Sequence, residues 1–213
     1  MSLIVTMDGP GGTGKSTVSR VVAHKTGLPH LDTGAFYRAA TLAVLEAEAD
    51  PASEDAVLGV VSGLSLSQEE GRMYLNGRDV STEIRSEPIT AAVSAVSANP
   101  EVREILVDMQ RAWVDRHGGG VVEGRDIGSV VFPDAPVKVF LHATPEVRAR
   151  RRALETGERI GDVLADLNRR DRFDSSRAVS PLSVPEGAVV LDTSELSFDE
   201  VVEEVLHLVR AKS

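Results

Sequence analysis

Short β-branched runs alternate along the chain with helix-period stretches, the pattern of a parallel sheet whose strands are joined by crossover helices. Leu3 to Met7, Pro29 to Thr33, Gly120 to Glu123, Val137 to Ala143 and Ala188 to Asp192 predict five strands. Thr144-Pro145-Glu146 supplies an N-cap, a proline at the first helical position and an acid in the first turn. Ser197-Phe198-Asp199-Glu200 reads as a capping box opening a last helix to about Lys212, with Val201, Val202, Val205, Leu206 and Val209 at the spacing of a buried face.

Two stretches break the alternation. From about 62 to 97 the pattern turns strand-like and turn-rich, with Asn76-Gly77 between Arg72–Leu75 and Arg78–Val80, a strong hairpin signal. This predicts an inserted subdomain. From about 151 to 172 a polar, Arg-rich helical stretch interrupted at Gly157 and Gly161 lacks an apolar stripe, and predicts a helical lid. The remaining segments, about 1–61, 98–150 and 173–213, form one core.

Composition narrows the chemistry. The chain has 213 residues, 42% of them hydrophobic and none of them cysteine. That length and apolar fraction suit one folded unit with a substantial core. Without cysteine there is no disulfide scaffold, thiolate metal site or thiol nucleophile, and a reducing cytoplasm is the expected home. No apolar run approaches the ~20 residues that span a bilayer, so neither export nor membrane insertion is expected. With 33 acidic against 23 basic residues and 4% aromatics, the chain is a poor candidate for a nucleic-acid binder. Its positive charge is instead local: Arg148 to Arg177 holds nine arginines against six acids.

Gly9-Pro10-Gly11-Gly12-Thr13-Gly14-Lys15-Ser16 fits the pattern G-x-x-x-x-G-K-[ST], placed after an apolar strand and before a helical pattern. In such a P-loop the glycines let backbone N–H groups converge on phosphates at a helix N-terminus. Lys15 then reaches the outer phosphates, Ser16 ligates Mg²⁺, and Thr17 meets the α-phosphate. The expected fold is therefore the α/β P-loop NTPase fold, a five-stranded parallel sheet flanked by helices, carrying the insert and the lid.

Two further segments leave strand ends on the same rim, Asp32-Thr33-Gly34-Ala35-Phe36-Tyr37-Arg38 and Val121-Val122-Glu123-Gly124-Arg125-Asp126-Ile127-Gly128, and Arg169-Arg170-Asp171-Arg172-Phe173-Asp174-Ser175-Ser176-Arg177 closes the basic segment. With these motifs, and with Ala178-Val179-Ser180-Pro181-Leu182 after them, essentially the whole chain resembles the bacterial cytidylate kinases, a nucleoside monophosphate kinase family. The resemblance implies that Thr33, Tyr37 and Arg38 contact the monophosphate, with Arg38 gripping its phosphate. It implies that Ser94, Arg103 and Asp126 recognise the cytosine edge, that Arg125 and Arg177 hold the phosphate, that Asp174 takes the ribose hydroxyls and that Arg170 contacts phosphates during transfer.

The implied reaction is γ-phosphoryl transfer from Mg·ATP to CMP or dCMP, by a monomer in the cytoplasm, without nucleic acid or membrane as partner. No general base is needed, because a phosphate monoester with a second pKa near ~6 is already largely dianionic at neutral pH. Lys15, Mg²⁺ and arginines 38, 125, 170 and 177 neutralise the transferring group. Glu123 stands where the family often has Asp. Asp32 is placed either to meet the Mg²⁺ hydration shell or to cap the following helix. The histidines at 24, 30, 117, 142 and 207 show no metal-ligand spacing and read as surface or packing residues. Competing readings are a P-loop switch, for which Asn168-Arg169-Arg170-Asp171 is a superficial base-reading match, a kinase for UMP or shikimate, and an Arg-rich nucleic-acid module.

Overall fold

In the computed structural model, which describes residues 3–177 and 179–212, the strands form a five-stranded sheet in the order β2-β6-β1-β7-β8. Its members are β1 (Ile4–Asp8), β2 (His30–Asp32), β6 (Gly120–Glu123), β7 (Val137–His142) and β8 (Val189–Asp192). β1 runs parallel to β6 and to β7, and β7 runs parallel to β8. All five sit within a residue or two of the hydrophobic runs that predicted them. The chain winds one way from β1 to β2 and β6, then the other way to β7 and β8. The carboxyl end of β1 is therefore the place where the winding reverses, which is where open α/β sheets bind ligands.

Two compact units make up the chain, Met1–His30 with Gly118–Ser213, and Leu31–His117. The core of the first joins Val5, Met7, Val121, Val139 and Leu141 of the sheet to Val18 and Val22 of α1 (Lys15–Thr26). α8 (Phe198–Arg210) covers it with Val201, Val202, Val205, Leu206 and Val209, all buried. Each such side chain contributes roughly 1.5–3 kcal/mol by leaving water. The capping box predicted at Ser197 and Glu200 is formed in both directions. The predicted start of α6 (Pro145–Thr156) is also observed, with Thr144 Oγ1 accepting from the Val147 N–H.

α6 packs against α7 (Ile160–Ser176). The polar stretch that shows no stripe in the sequence still buries Val163 and Leu167 of α7 against Ala149 and Ala153 of α6. Four small or medium side chains are too few to dominate so charged a pattern.

The second unit is helical around α2 (Thr33–Glu46), α3 (Glu54–Val61), α4 (Glu87–Val96) and α5 (Pro100–His117), with an antiparallel sheet of β3 (Leu66–Glu69), β4 (Arg72–Leu75) and β5 (Arg78–Asp79). The Asn76-Gly77 hairpin joins β4 to β5, with both turn residues at positive φ, 50° and 81°. The strand-like reading of 62–97 holds only for its first part. After a 3₁₀ turn at Glu83–Arg85, Pro88 in the first turn and an alanine-rich run carry the chain into α4.

Candidate phosphate-transfer site

At the end of β1 the backbone turns through Gly9, with φ 139°, where a Cβ would stand 2.1 Å from the Leu141 carbonyl oxygen of β7. No other residue fits there without moving the sheet. Gly12, with φ 77°, passes so close to α6 that a Cβ would meet Arg148 Cβ at 3.1 Å. Gly14 is the N-cap of α1, with no side-chain cap and no acid in the first turn. A helix start with neither a side-chain cap nor an acid of its own in the first turn is suited to an anion, which its dipole and first N–H groups attract.

Three carbonyls of the loop, those of Gly9, Pro10 and Gly11, each accept from side-chain donors. Arg125 Nη1 donates to Gly9 O at 3.2 Å, Lys15 Nζ and Thr13 Oγ1 donate to Pro10 O at 2.7 and 3.2 Å, and Arg148 Nη1 donates to Gly11 O at 3.0 Å. Lys15 is 6% exposed. Burial, reinforced by the neighbouring Arg125 charge, pushes its ammonium down to about 7 against the partial support of Glu123, Asp8 and Asp174. Ser16 and Thr17, by contrast, are exposed at the start of α1.

Three of the predicted residues meet beside the loop. Arg125 Nε donates to Asp174 Oδ2 at 3.0 Å, and the buried guanidinium of Arg177 comes within 3.8 Å of Asp174 Oδ1. Asp174 thus sits as counter-ion between two arginines. Arg170, one helical turn earlier on α7, lies 3.9 Å from Asp166. Asp126 is buried at the start of a single π turn, Ile127–Val131.

Several residues without an assigned role organise this end of the sheet. Asp8, fully buried at the end of β1, accepts from the Ile127 and Gly128 N–H groups at 2.7 and 2.8 Å and so fixes the turn that presents Arg125 and Asp126. Desolvation, with a smaller push from Asp126, raises its carboxyl to about 6 despite those two hydrogen bonds and Lys15. Arg148 is 3% exposed; besides Gly11 O it donates to Ala143 O and pairs with Asp171 of α7 at 2.7 Å, tying the loop to α6 and α7. Glu123 Oε2 accepts from Ser16 Oγ at 2.7 Å. His30 Nε2 lies 3.1 Å from Glu123 Oε1 and 3.0 Å from Ser19 Oγ, a more specific place than a surface or packing histidine has.

The second unit gathers the other predicted residues. Asp32 is the N-cap of α2, accepting from the Ala35 N–H through Oδ1 at 3.0 Å, while Oδ2 receives Arg38 at 3.0 Å and lies 3.7 Å from Arg85. Its carboxylate is engaged as helix cap and counter-ion. Thr33 and Tyr37 are buried on the first turns of the same helix. Arg103, buried on α5, lies over the Tyr37 ring at 5.3 Å and donates to Ser97 O at 3.3 Å. Ser94 is half-buried on α4, and its carbonyl accepts from Ser97 Oγ.

The cytidylate kinase family model matches residues 5–211. The chain belongs to the cytidylate kinase family. It is 51% identical to the cytidylate kinase of Mycobacterium leprae (strain Br4923) over 99% of this chain and 97% of that one. It is 50% identical to the cytidylate kinase of Rhodococcus opacus (strain B4), over 100% and 96%. Among solved structures, a shikimate kinase from Acinetobacter baumannii superimposes with a TM-score of 0.50 at 14% identity, covering 99% of this chain and 94% of that one. A protein from Eubacterium ventriosum does so with 0.57 at 9%, covering 99% of each. These distant likenesses show the fold alone, the α/β P-loop NTPase fold. Among the described residues, no helix is long and apolar enough to cross a membrane.

Proposed function

We propose that this chain transfers the γ-phosphoryl group of Mg·ATP to CMP or dCMP, releasing ADP with CDP or dCDP. The observation that carries this reading is the concentration of cationic groups on the carboxyl end of β1: Lys15, Arg125 and Arg177 beside a glycine loop whose carbonyls are held by side-chain donors.

On this reading the loop from Gly9 to Thr17 cradles the donor's phosphates. Ser16, backed by Glu123, offers Mg²⁺ one hydroxyl with a carboxylate behind it. So small a set suits a cation that keeps several waters and binds mainly through substrate phosphates. Bound there with ATP, Mg²⁺ would neutralise part of the phosphate charge. Lys15 regains full charge as an anion replaces its desolvated surroundings. Arg38 holds the acceptor's phosphate, Arg125, Arg170 and Arg177 stabilise the group in flight, and Asp174 takes the ribose. The insert at 62–97 would cover the acceptor and the lid at 151–172 would exclude water, which otherwise hydrolyses the donor. Ser94, Arg103 and Asp126 read the base, since a carboxylate accepts from cytosine's exocyclic amine and repels the carbonyl oxygen that uracil has instead.

The test is product identity. With purified protein, Mg·ATP and CMP, ADP and CDP should appear in equal amounts, and ADP without CDP would defeat the proposal. Asp126→Asn should raise the use of UMP relative to CMP by about tenfold, the usual scale for mispairing one buried polar contact.

A further inference from the structure

Four residues beside the phosphate loop close a ring of hydrogen bonds that no motif predicts. Ser16 Oγ donates to Glu123 Oε2 at 2.7 Å, and Glu123 Oε1 lies 3.1 Å from Nε2 of His30. The same Nε2 lies 3.0 Å from Ser19 Oγ, and Ser19, one turn after Ser16 on α1, donates to the Ser16 carbonyl at 3.2 Å. The ring therefore begins and ends on Ser16. All four residues belong to the first unit, with His30 opening β2 and Glu123 closing the neighbouring β6.

The directions of these bonds fix a hydrogen on the imidazole. Ser19 directs its hydroxyl hydrogen at the Ser16 carbonyl, so its oxygen turns acceptor toward His30, and a carboxylate oxygen accepts as well. Nε2 thus carries the hydrogen and donates into the gap between Ser19 and Glu123. The last torsion of a glutamate is soft, and its carboxylate plane turns with little resistance unless something holds it. In Glu123, which is 3% exposed, the Nε2–H holds one oxygen and thereby helps set where the other meets Ser16. With its hydrogen directed at that carboxylate, the Ser16 hydroxyl offers lone pairs rather than a hydrogen to a cation.

We propose that His30 is a positioning residue for the divalent cation that accompanies the nucleotide: it holds the Glu123 carboxylate in the orientation that makes the Ser16 hydroxyl a cation ligand. In this role His30 touches neither nucleotide nor cation. This rests on the reading of Ser16 as the hydroxyl that Mg²⁺ binds.

The test is calorimetric titration of the whole chain with the β,γ-imido analogue of ATP, in Mg²⁺ and in EDTA, for the wild type, H30L, H30Q, H30N and S16A, with melting temperatures alongside. The ratio of the two dissociation constants isolates what the metal adds to binding. H30L should lower that ratio about tenfold with the EDTA value unchanged, the scale on which outer partners of metal ligands act. H30Q, whose amide nitrogen reaches the place of Nε2, should recover most of the loss. H30N, whose amide stops at the place of Nδ1, should not, and this pair decides the matter should H30L fail to fold. Equal weakening in EDTA and in Mg²⁺ by H30L would make His30 a structural support of the loop and overturn the proposal, as would equal ratios in H30Q and H30N. A ratio unchanged in H30L but lowered in S16A would overturn it while sparing the reading of Ser16. A ratio unchanged in both would overturn the two together.

Discussion

On the proposed reading the loop after β1 and Arg38 at Asp32 both meet a phosphate, yet they are built by opposite means. The loop works through main-chain geometry: glycines at φ 139°, 77° and 90° set its path while Arg125, Lys15 and Arg148 hold its carbonyls. Its lysine is almost completely buried. The Asp32 region works through a long, partly exposed side chain, with 23% of Arg38 accessible, balanced on a helix cap. Preorganised dipoles lose little on binding but depend on every backbone torsion. Side-chain cations tolerate backbone change and depend on charge and on the planar fork.

The sharpest way to break this contrast is to alter the loop without touching any charge. Gly9→Ala should abolish ATP binding, and it should destabilise the fold by about 3 kcal/mol, because its Cβ would meet the Leu141 carbonyl 2.1 Å away. Calorimetric titration and a thermal melt check both effects. Lys15→Met keeps the loop's path and removes its buried charge, so turnover should fall about 10³-fold with the melting temperature held or raised. A rise in the KM for ATP with turnover unchanged would contradict that assignment.

In the second region the informative change keeps charge and alters shape. Arg38→Lys should raise the KM for CMP roughly tenfold, with the KM for ATP unchanged, because an ammonium cannot reproduce a bidentate contact. Steady-state kinetics with each substrate varied in turn would show it.

The last prediction leaves binding aside and concerns the pH response of Asp8. Burial raises its carboxyl from 3.8 to about 6, so the fold favours the protonated form. The stability this confers is present below the unfolded value and is lost as pH rises through the folded one. Between those two values the wild-type chain should lose on the order of 3 kcal/mol relative to Asp8→Asn, which does not titrate. Denaturant unfolding at intervals of pH would reveal two parallel curves if Asp8 were not so placed.

What the sequence made legible divides along the same line. The strands, the P-loop, the Thr144 cap and the Ser197–Glu200 box are local patterns, and each reads directly because the residues that cause it are neighbours. The partners that hold the site are remote. Asp8 meets Gly128, 120 positions on, and Arg148 meets Gly11, 137 positions back. No periodicity encodes such contacts. A hint was present in Asp8, an acid at the end of an otherwise apolar strand, directly before the first glycine. α4 was hidden inside the turn-rich stretch because Ser86-Glu87-Pro88 reads equally as a loop and as a helix start, and tertiary packing of Ile89 and Val96 decides for the helix.

The most direct test of the account is ADP release from Mg·ATP by purified protein, alone and with CMP, dCMP, UMP, AMP, GMP or dTMP. The account predicts rapid release with CMP and dCMP, weak release with UMP and almost none without an acceptor. Comparable release with a purine monophosphate, or release that ignores the acceptor altogether, would contradict it.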